Sequence, residues 1–230
     1  MKTIGLIGGM SWESTTEYYR IINEEVKKQL GGLHSAKCVL YSVDFHDIEK
    51  YQAEDDWEKA GELLGEAAYS LEKSGAAFIV ICTNTMHKVT AFIEEKINIP
   101  ILHIADTTAK QILEANIKKV GLLGTSYTME QDFYRERIAT NGIEVIVPDK
   151  EARQEVNRVI YEELCLGKIT ESSKAYYKNV IANLEKQGAE GIILGCTEIG
   201  LLLQQADSRV PLFDTAAIHA LEAVHTSLEG

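Results

Sequence analysis

The chain has 230 residues, 45% of them hydrophobic and 25% charged, which is typical of a globular protein with one large or two modest domains. Its net charge of −12 argues against nucleic acid or an anionic membrane as a partner, because both bind basic surfaces. The chain lacks a run of about 20 apolar residues that could span a bilayer, and its first ten residues do not resemble a signal peptide. We therefore expect a cytoplasmic protein.

In the first half of the chain, short apolar runs rich in β-branched residues alternate with segments of helical periodicity. Strands are predicted at 3–9, 38–45, 76–84 and 99–106, and helices at 14–30, at 57–74 and after the third strand as far as Ile97.

The same alternation continues in the second half. Strands are predicted at 119–125, 143–148, 190–198 and near 210–213, and helices at 107–116, at 129–141, at 151–187 with a break at 166–167, and at the C-terminus. Strands that alternate with helices of about ten residues or more predict an α/β fold with parallel sheets.

The chain also repeats itself. "GLIGGMSWEST" begins at Gly5 and "GLLGTSYTMEQ" at Gly121, while "GAAFIVICT" begins at Gly75 and "GAEGIILGC" at Gly188. An internal duplication is the simplest explanation, although chance could produce either pair alone. It predicts two similar parallel-sheet α/β domains, 1–98 plus 212–230 and 99–211, related by pseudo-two-fold symmetry with the active site in the cleft between them. In this alignment Thr83 falls opposite Cys196.

Candidate binding residues follow the predicted strands, where open parallel sheets bind their ligands. They are Gly8-Gly9-Met10-Ser11, Thr83-Asn84-Thr85, Thr125-Ser126 and Cys196-Thr197-Glu198. Short loops at helix N-termini can bind a carboxylate or a phosphate through backbone N–H groups, and phosphate is less favoured because no P-loop pattern is present. The alternative is that these residues only form tight turns and cap helices.

Cysteine and histidine usage indicates free thiols and no metal site. The four cysteines lie far apart without a CxxC pair or metal-like spacing to the six histidines. Cys196 ends a strand just before a helix, where the helix dipole favours a thiolate base or nucleophile, although most free cysteines are buried hydrophobic residues. His87 could support the first-half site or lie on a helix surface, and His103 is expected in a core or an interface.

These motifs carry a family resemblance that covers essentially the whole chain. The sequence closely resembles the cofactor-independent aspartate/glutamate racemases through "IGLIGGMSWEST", "CTNTMH", "LLGTSYTMEQDFYR", "GCTEIGLL" and "FDTAAIHA". Members of that family use two cysteines, one per domain, without pyridoxal phosphate, and are usually dimers. The resemblance implies an acidic amino acid as substrate, no cofactor, a homodimer, and a pocket lined by Met10, Thr83, Asn84, Thr85, Thr125 and Thr197.

The sequence departs from the family at Thr83, where two-cysteine members carry a catalytic cysteine. A threonine hydroxyl can give a proton but is a poor base. We expect Cys196 to remove the α-proton and Thr83 to return one from the opposite face, with a strong preference for L-amino acids. Cys82 could replace Thr83 as a base, but its side chain should point to the other side of the strand.

A second departure concerns the side-chain carboxylate of the substrate. Related aspartate racemases use an arginine after the second strand and a lysine in the second domain. The segment 43–52 has no arginine and offers Gln52 and His46 instead, while Lys168 could supply the positive charge. Aspartate, glutamate and a wider substrate range therefore stay open.

Two alternatives to an acidic amino acid racemase remain. One is another enzyme of the same architecture, such as a hydantoin racemase, a maleate isomerase or an arylmalonate decarboxylase. The other is a catalytically weak protein that binds an amino acid as a sensor, which the missing first cysteine would favour.

Overall fold

The computed structural model describes residues 1–229 and contains two four-stranded parallel sheets flanked by helices. The chain divides into two compact units, one formed by Met1–His103 with the residues from His219 onward and the other by Ile104–Ile218. The predicted α/β class with parallel sheets is confirmed. None of the helices in residues 1–229 is long and apolar enough to cross a membrane.

The sheet of the first unit has the strand order β2-β1-β3-β4. Its strands are β1 (Ile4–Gly8), β2 (Cys38–Ser42), β3 (Phe78–Ile81) and β4 (Ile101–Leu102). Its helices are α1 (Trp12–Leu30), α2 (Phe45–Ala53), α3 (Trp57–Lys73) and α4 (Thr90–Glu94), with a 3₁₀ helix at Thr85–Val89. The last helix, α11 (Thr215–Leu228), begins in the second unit and ends in the first.

The sheet of the second unit has the order β6-β5-β7-β8. Its strands are β5 (Lys119–Gly124), β6 (Glu144–Ile146), β7 (Gly191–Gly195) and β8 (Leu212–Asp214). Its helices are α5 (Ile104–Glu114), α6 (Ser126–Glu130), α7 (Asp132–Ala139), α8 (Lys150–Glu162), α9 (Glu171–Lys186) and α10 (Ile199–Leu202), with 3₁₀ helices at Leu164–Leu166 and Gln205–Asp207.

The two sheets share one topology, in which the first strand of each unit lies between the second and the third. The two inner strands of each sheet, β1 and β3 in one and β5 and β7 in the other, are almost entirely buried. Continuous apolar runs are expected of such strands, because helices cover both faces of a parallel sheet. The shared strand order agrees with an internal duplication of the sequence.

Several boundaries differ from those expected from the sequence. β4 pairs with β3 and so belongs to the first sheet, and β8 pairs with β7 and so belongs to the second. The predicted domain boundaries, at 98/99 and 211/212, placed each of these strands in the other unit. The predicted strand 38–45 ends early because the Asp44 side chain caps α2 by accepting from the His46 N–H. The predicted strand 99–106 also ends early, since α5 begins at Ile104.

The segment after β3 differs from the helix predicted there, whereas the segment after α8 agrees with the prediction. A 3₁₀ helix at Thr85–Val89 precedes α4, where a single helix as far as Ile97 was expected. The predicted break at 166–167 is confirmed, because Gly167 adopts the left-handed conformation with φ +69° between a short 3₁₀ helix and α9.

The turn after β1 requires a glycine at position 9. Gly9 has φ +91°, and a Cβ added to it would lie 2.1 Å from the Val43 carbonyl oxygen. Its N–H donates to the Thr15 hydroxyl, which also bonds the Ser11 carbonyl, so the turn is fastened to the first turn of α1.

We expect Gly9→Ala to lower the free energy of unfolding by roughly 3 kcal/mol. Alanine is strained at this positive φ, and its Cβ would also clash with the Val43 carbonyl oxygen. Gly32→Ala is the matched control, since Gly32 also has positive φ but open space around it, and should cost only about 1 kcal/mol. Urea unfolding of both variants measures the difference. Equal losses would show that the contact with Val43 does not constrain the turn.

Candidate active site

The carboxyl end of β7 carries a buried thiol beside a buried carboxylate. Cys196 follows β7 directly and its Sγ donates a hydrogen bond to Glu198 Oε2 at 2.9 Å. Glu198 is only 4% exposed, and the Thr197 hydroxyl donates to the same carboxylate oxygen at 2.9 Å. Two polar hydrogens thus converge on one oxygen of Glu198.

The surroundings of Cys196 oppose the expectation that the helix dipole makes it a ready thiolate. Burial raises the pKa of Cys196 well above its ordinary range, and the negative charge of Glu198 raises it further. The following helix, α10, has only four residues and begins after Glu198, so its dipole is small. Cys196 is therefore a thiol at neutral pH, and forming its thiolate requires a base.

Glu198 is named among the candidates in the sequence analysis, but no role of its own was assigned to it there. It was visible in the "GCTE" motif, two positions after the cysteine. Spacing alone does not show that its carboxylate turns back toward the thiol or that both groups are buried. With Sγ and Oε2 in hydrogen-bond contact, the carboxylate can accept the thiol proton without a bridging water.

Thr125 lies beside Cys196 at the same edge of the second sheet. β5 and β7 are paired with Gly124 opposite Gly195, and each candidate is the next residue along its strand. Thr125 is buried and its hydroxyl accepts from the Thr128 N–H at 3.3 Å, which caps α6. The structure thus brings Thr125, Cys196, Thr197 and Glu198 together.

Lys168 occupies a more open position. It lies in the connection between the 3₁₀ helix Leu164–Leu166 and α9, with its backbone N–H bonded to the Glu163 carbonyl at 2.9 Å. Its side chain is exposed. The preceding 3₁₀ helix packs against α10, so this connection lies near the carboxyl end of β7.

In the first unit, the candidates cluster after β3. Thr83 is half-buried two residues beyond the strand, and Asn84 and Thr85 after it are buried. Cys82 is also buried, with Sγ 3.9 Å from the Val80 carbonyl oxygen. Burial raises the pKa of Cys82 far above its ordinary range, so this neighbouring cysteine is a protonated thiol.

Met10 and Gln52 are buried near the same edge of the first sheet. β1 and β3 are paired with Ile7 opposite Ile81, so the loop that carries Met10 begins beside the start of the Thr83 loop. Gln52 lies in the last turn of α2, and its Nε2 donates to Met86 Sδ at 3.0 Å. His46, the other candidate in this segment, is an exposed residue in the first turn of α2.

Two backbone N–H groups in the Gly8–Ser11 loop and the first turn of α1, where an anion was expected to bind, already have partners. The Gly9 N–H donates to the Thr15 hydroxyl, and the Ser14 N–H to the Ser11 hydroxyl. Within residues 1–229, no group of three or more His, Cys, Asp or Glu side chains is arranged to hold a metal ion.

Comparisons with known proteins show the family of this chain. Residues 7–223 match the model of the Asp/Glu/Hydantoin racemase family. The chain is 28% identical to the broad specificity amino-acid racemase RacX of Bacillus subtilis, and the match covers 98% of both chains.

Two crystal structures are similar to the chain over the full length of both proteins. One is a Yersinia pestis protein provisionally named an Asp/Glu racemase, with 61% identity and a TM-score of 0.94. The other is PH1733 of Pyrococcus horikoshii, described as an aspartate racemase homologue, with 36% identity and a TM-score of 0.86. Since the family match spans nearly the whole chain, this protein belongs to the Asp/Glu/Hydantoin racemase family.

Proposed function

We propose that the protein is a cofactor-independent racemase of acidic amino acids, L-aspartate, L-glutamate or both. The observation that carries the proposal is the buried contact of 2.9 Å between the Cys196 thiol and the Glu198 carboxylate. Family membership supports the reaction class. The family resemblance also supports a cytoplasmic homodimer whose ligand is a free amino acid.

The first half of the reaction is removal of the α-proton. Glu198 accepts the proton of Cys196, and the resulting thiolate takes the α-proton of the L-substrate. The Cα–H bond is a very weak acid, so hydrogen-bond donors must stabilise the carboxylate as it gains enolate character. Asn84, Thr85, Thr125 and Thr197 are the polar side chains that we assign to this task, with Met10 as an apolar wall of the pocket.

The second half is return of a proton to the opposite face. We assign this step to the Thr83 hydroxyl, which gives its proton to the substrate and then takes a proton from a water molecule. Thr83 is a weak acid and a poorer base, so it supports reprotonation better than abstraction. The preference for L-substrates follows from this asymmetry.

The preference for L-substrates cannot appear in the efficiency of inversion. L- and D-enantiomers have the same free energy, so kcat/KM for inversion has to be equal in the two directions. The asymmetry therefore appears in exchange of the α-proton with solvent. Cys196 can remove and return a proton on the L-face without inversion, whereas the D-face depends on Thr83.

Recognition of the substrate side chain is assigned to Gln52 and Lys168. Gln52 offers a neutral amide where related aspartate racemases have an arginine, so it distinguishes less strictly between charged and neutral side chains. Lys168 supplies a positive charge on an exposed loop. The similarity to a racemase named for broad specificity supports a range wider than aspartate alone.

Exchange of the α-proton tests the function itself. In D₂O, we expect the wild-type protein to remove the α-proton signal of L-aspartate or L-glutamate, and Cys196→Ala to slow this by roughly 10³-fold or more. Cys82→Ala should exchange normally, because Cys82 is only a buried neighbour. Binding of the amino acid without exchange by the wild-type protein would instead identify an amino-acid-binding protein.

The role of Thr83 is tested by comparing enantiomers. For the wild-type protein, α-proton exchange should be at least about 10²-fold faster for L- than for D-substrate, since a hydroxyl is a poor base. Thr83→Cys should raise exchange of the D-substrate and inversion in both directions, because a thiol can be ionised. Equal exchange rates for the two enantiomers in the wild-type protein would contradict the assignment.

The variant Glu198→Gln tests whether Glu198 acts as a base or only as a nearby negative charge. If Glu198 accepts the thiol proton, this variant should lose about 10²-fold or more in exchange at neutral pH. Its rate should then keep rising with pH beyond the ordinary cysteine pKa of about 8.5, because burial still raises the pKa of Cys196. The exposed Glu136→Gln is the control. A rate increase at neutral pH would mean that the negative charge of Glu198 only suppresses the thiolate.

A further inference from the structure

Three histidine rings are buried together in the first unit, next to Thr83. The ring centroid of His87 lies 4.5 Å from that of His103 and 5.7 Å from that of His219, both edge-to-face. The three side chains are between 0% and 6% exposed. His87 therefore does not lie on a helix surface, which was one of its two expected positions.

His219 is the fixed member of this group. One ring nitrogen, Nε2, lies 2.8 Å from the Leu102 carbonyl oxygen, and the other, Nδ1, lies 3.0 Å from the Tyr18 hydroxyl. A carbonyl oxygen only accepts, so Nε2 carries the proton and Nδ1 accepts from Tyr18. Burial lowers the pKa of His219 to about 4, which keeps the ring neutral and this tautomer in place at neutral pH.

His87 uses the opposite ring nitrogen. Its Nδ1 lies 2.8 Å from the Thr83 carbonyl oxygen, so by the same reasoning Nδ1 carries a proton and donates it. The His87 backbone N–H donates to the Asn84 carbonyl at 3.1 Å. The imidazole thus closes a small loop over residues 83–87.

Thr83 depends on this loop because it lies beyond the sheet. β3 ends at Ile81, and the Thr83 N–H donates to the Ile81 carbonyl at 2.9 Å rather than to a neighbouring strand. The His87 ring binds the carbonyl on the other side of the same residue. The Thr83 backbone is therefore held from both sides, which fixes the position from which its side chain starts.

We propose that His87 is a positioning residue, whose Nδ1–H holds the Thr83 carbonyl and thereby aims the Thr83 hydroxyl at the substrate. The proposal rests on the function assigned to Thr83 above. A hydroxyl that gives its proton to the substrate works only in a narrow range of positions, and a displacement of about 1 Å can cost roughly 10²-fold in rate. The anchored ring of His219 and the ring of His103 keep His87 from turning away.

The test compares inversion of the substrate with exchange of its α-proton. His87→Phe keeps an aromatic ring but removes the donor, and we expect it to lower inversion of L-substrate by roughly 10²-fold. Exchange of the L-substrate α-proton, which does not use Thr83, should change by no more than a few-fold. His87→Asn places an amide N–H near the position of Nδ1 and should recover at least about 10-fold of the lost inversion. His34→Phe, on the exposed surface, is the control.

A purely structural role gives a different pattern, in which exchange and inversion fall together with the free energy of unfolding and His87→Asn gives no recovery. That result, or normal inversion by His87→Phe, would overturn the proposal. A wild-type protein that neither exchanges nor inverts would overturn the proposed function as well, so the two failures are distinguishable.

A second measurement covers the case in which His87→Phe does not fold. Nitrogen-15 spectra of the wild-type protein at neutral pH should show one histidine protonated on Nδ1 and assigned to His87, and another protonated on Nε2 and assigned to His219. A His87 ring that carries its proton on Nε2 alone would contradict the hydrogen bond to Thr83 and with it the proposal.

Discussion

The hydrogen bond from the Cys196 thiol to the Glu198 carboxylate is the interaction on which the proposed chemistry depends. A buried thiol is a poor base by itself, since burial and the nearby negative charge both favour its protonated form. The same carboxylate provides a place for the proton when the thiol must ionise. In the proposed mechanism, one pair of side chains thus keeps the cysteine protonated at rest and makes its thiolate accessible during reaction.

The sheet positions this pair through small residues at the strand ends. A Cβ on Gly124 would lie 2.9 Å from the Gly195 carbonyl oxygen, and one on Gly195 would lie 3.0 Å from the Leu123 carbonyl oxygen. Glycine at both positions lets the ends of β5 and β7 approach closely. The residues that follow these glycines, Thr125 and Cys196, therefore lie at the same edge of the sheet.

The two units share a strand order but differ in chemistry at the corresponding position. The second unit has a thiol with a carboxylate beside it. The first has a hydroxyl at Thr83, and the local support there is an imidazole bonded to the backbone rather than a base bonded to the side chain. A hydroxyl that gives a proton needs orientation more than ionisation, which is the contribution that we assign to His87.

Much of the fold could be predicted because buried parallel strands are continuous apolar runs ended by glycine, as in β1 and β5. The assignment of β4 and β8 to sheets could not, because strands of two or three residues contain too little pattern. The ionisation of Cys196 was also hidden, since it depends on burial and on how the Glu198 side chain turns. The burial of His87 depends on His219, far along the chain, and no local pattern shows that contact.

The protonation state of Cys196 is the most direct test of the proposal that Cys196 is a thiol whose proton passes to Glu198. The thiolate absorbance of the ligand-free protein, measured against pH as the difference between wild type and Cys196→Ser, reports this one residue. We expect no Cys196 thiolate at neutral pH, and a thiolate only above the ordinary cysteine pKa of about 8.5, because burial raises the pKa of this thiol. A Cys196-dependent thiolate signal that titrates at or below pH ~8.5 would contradict it.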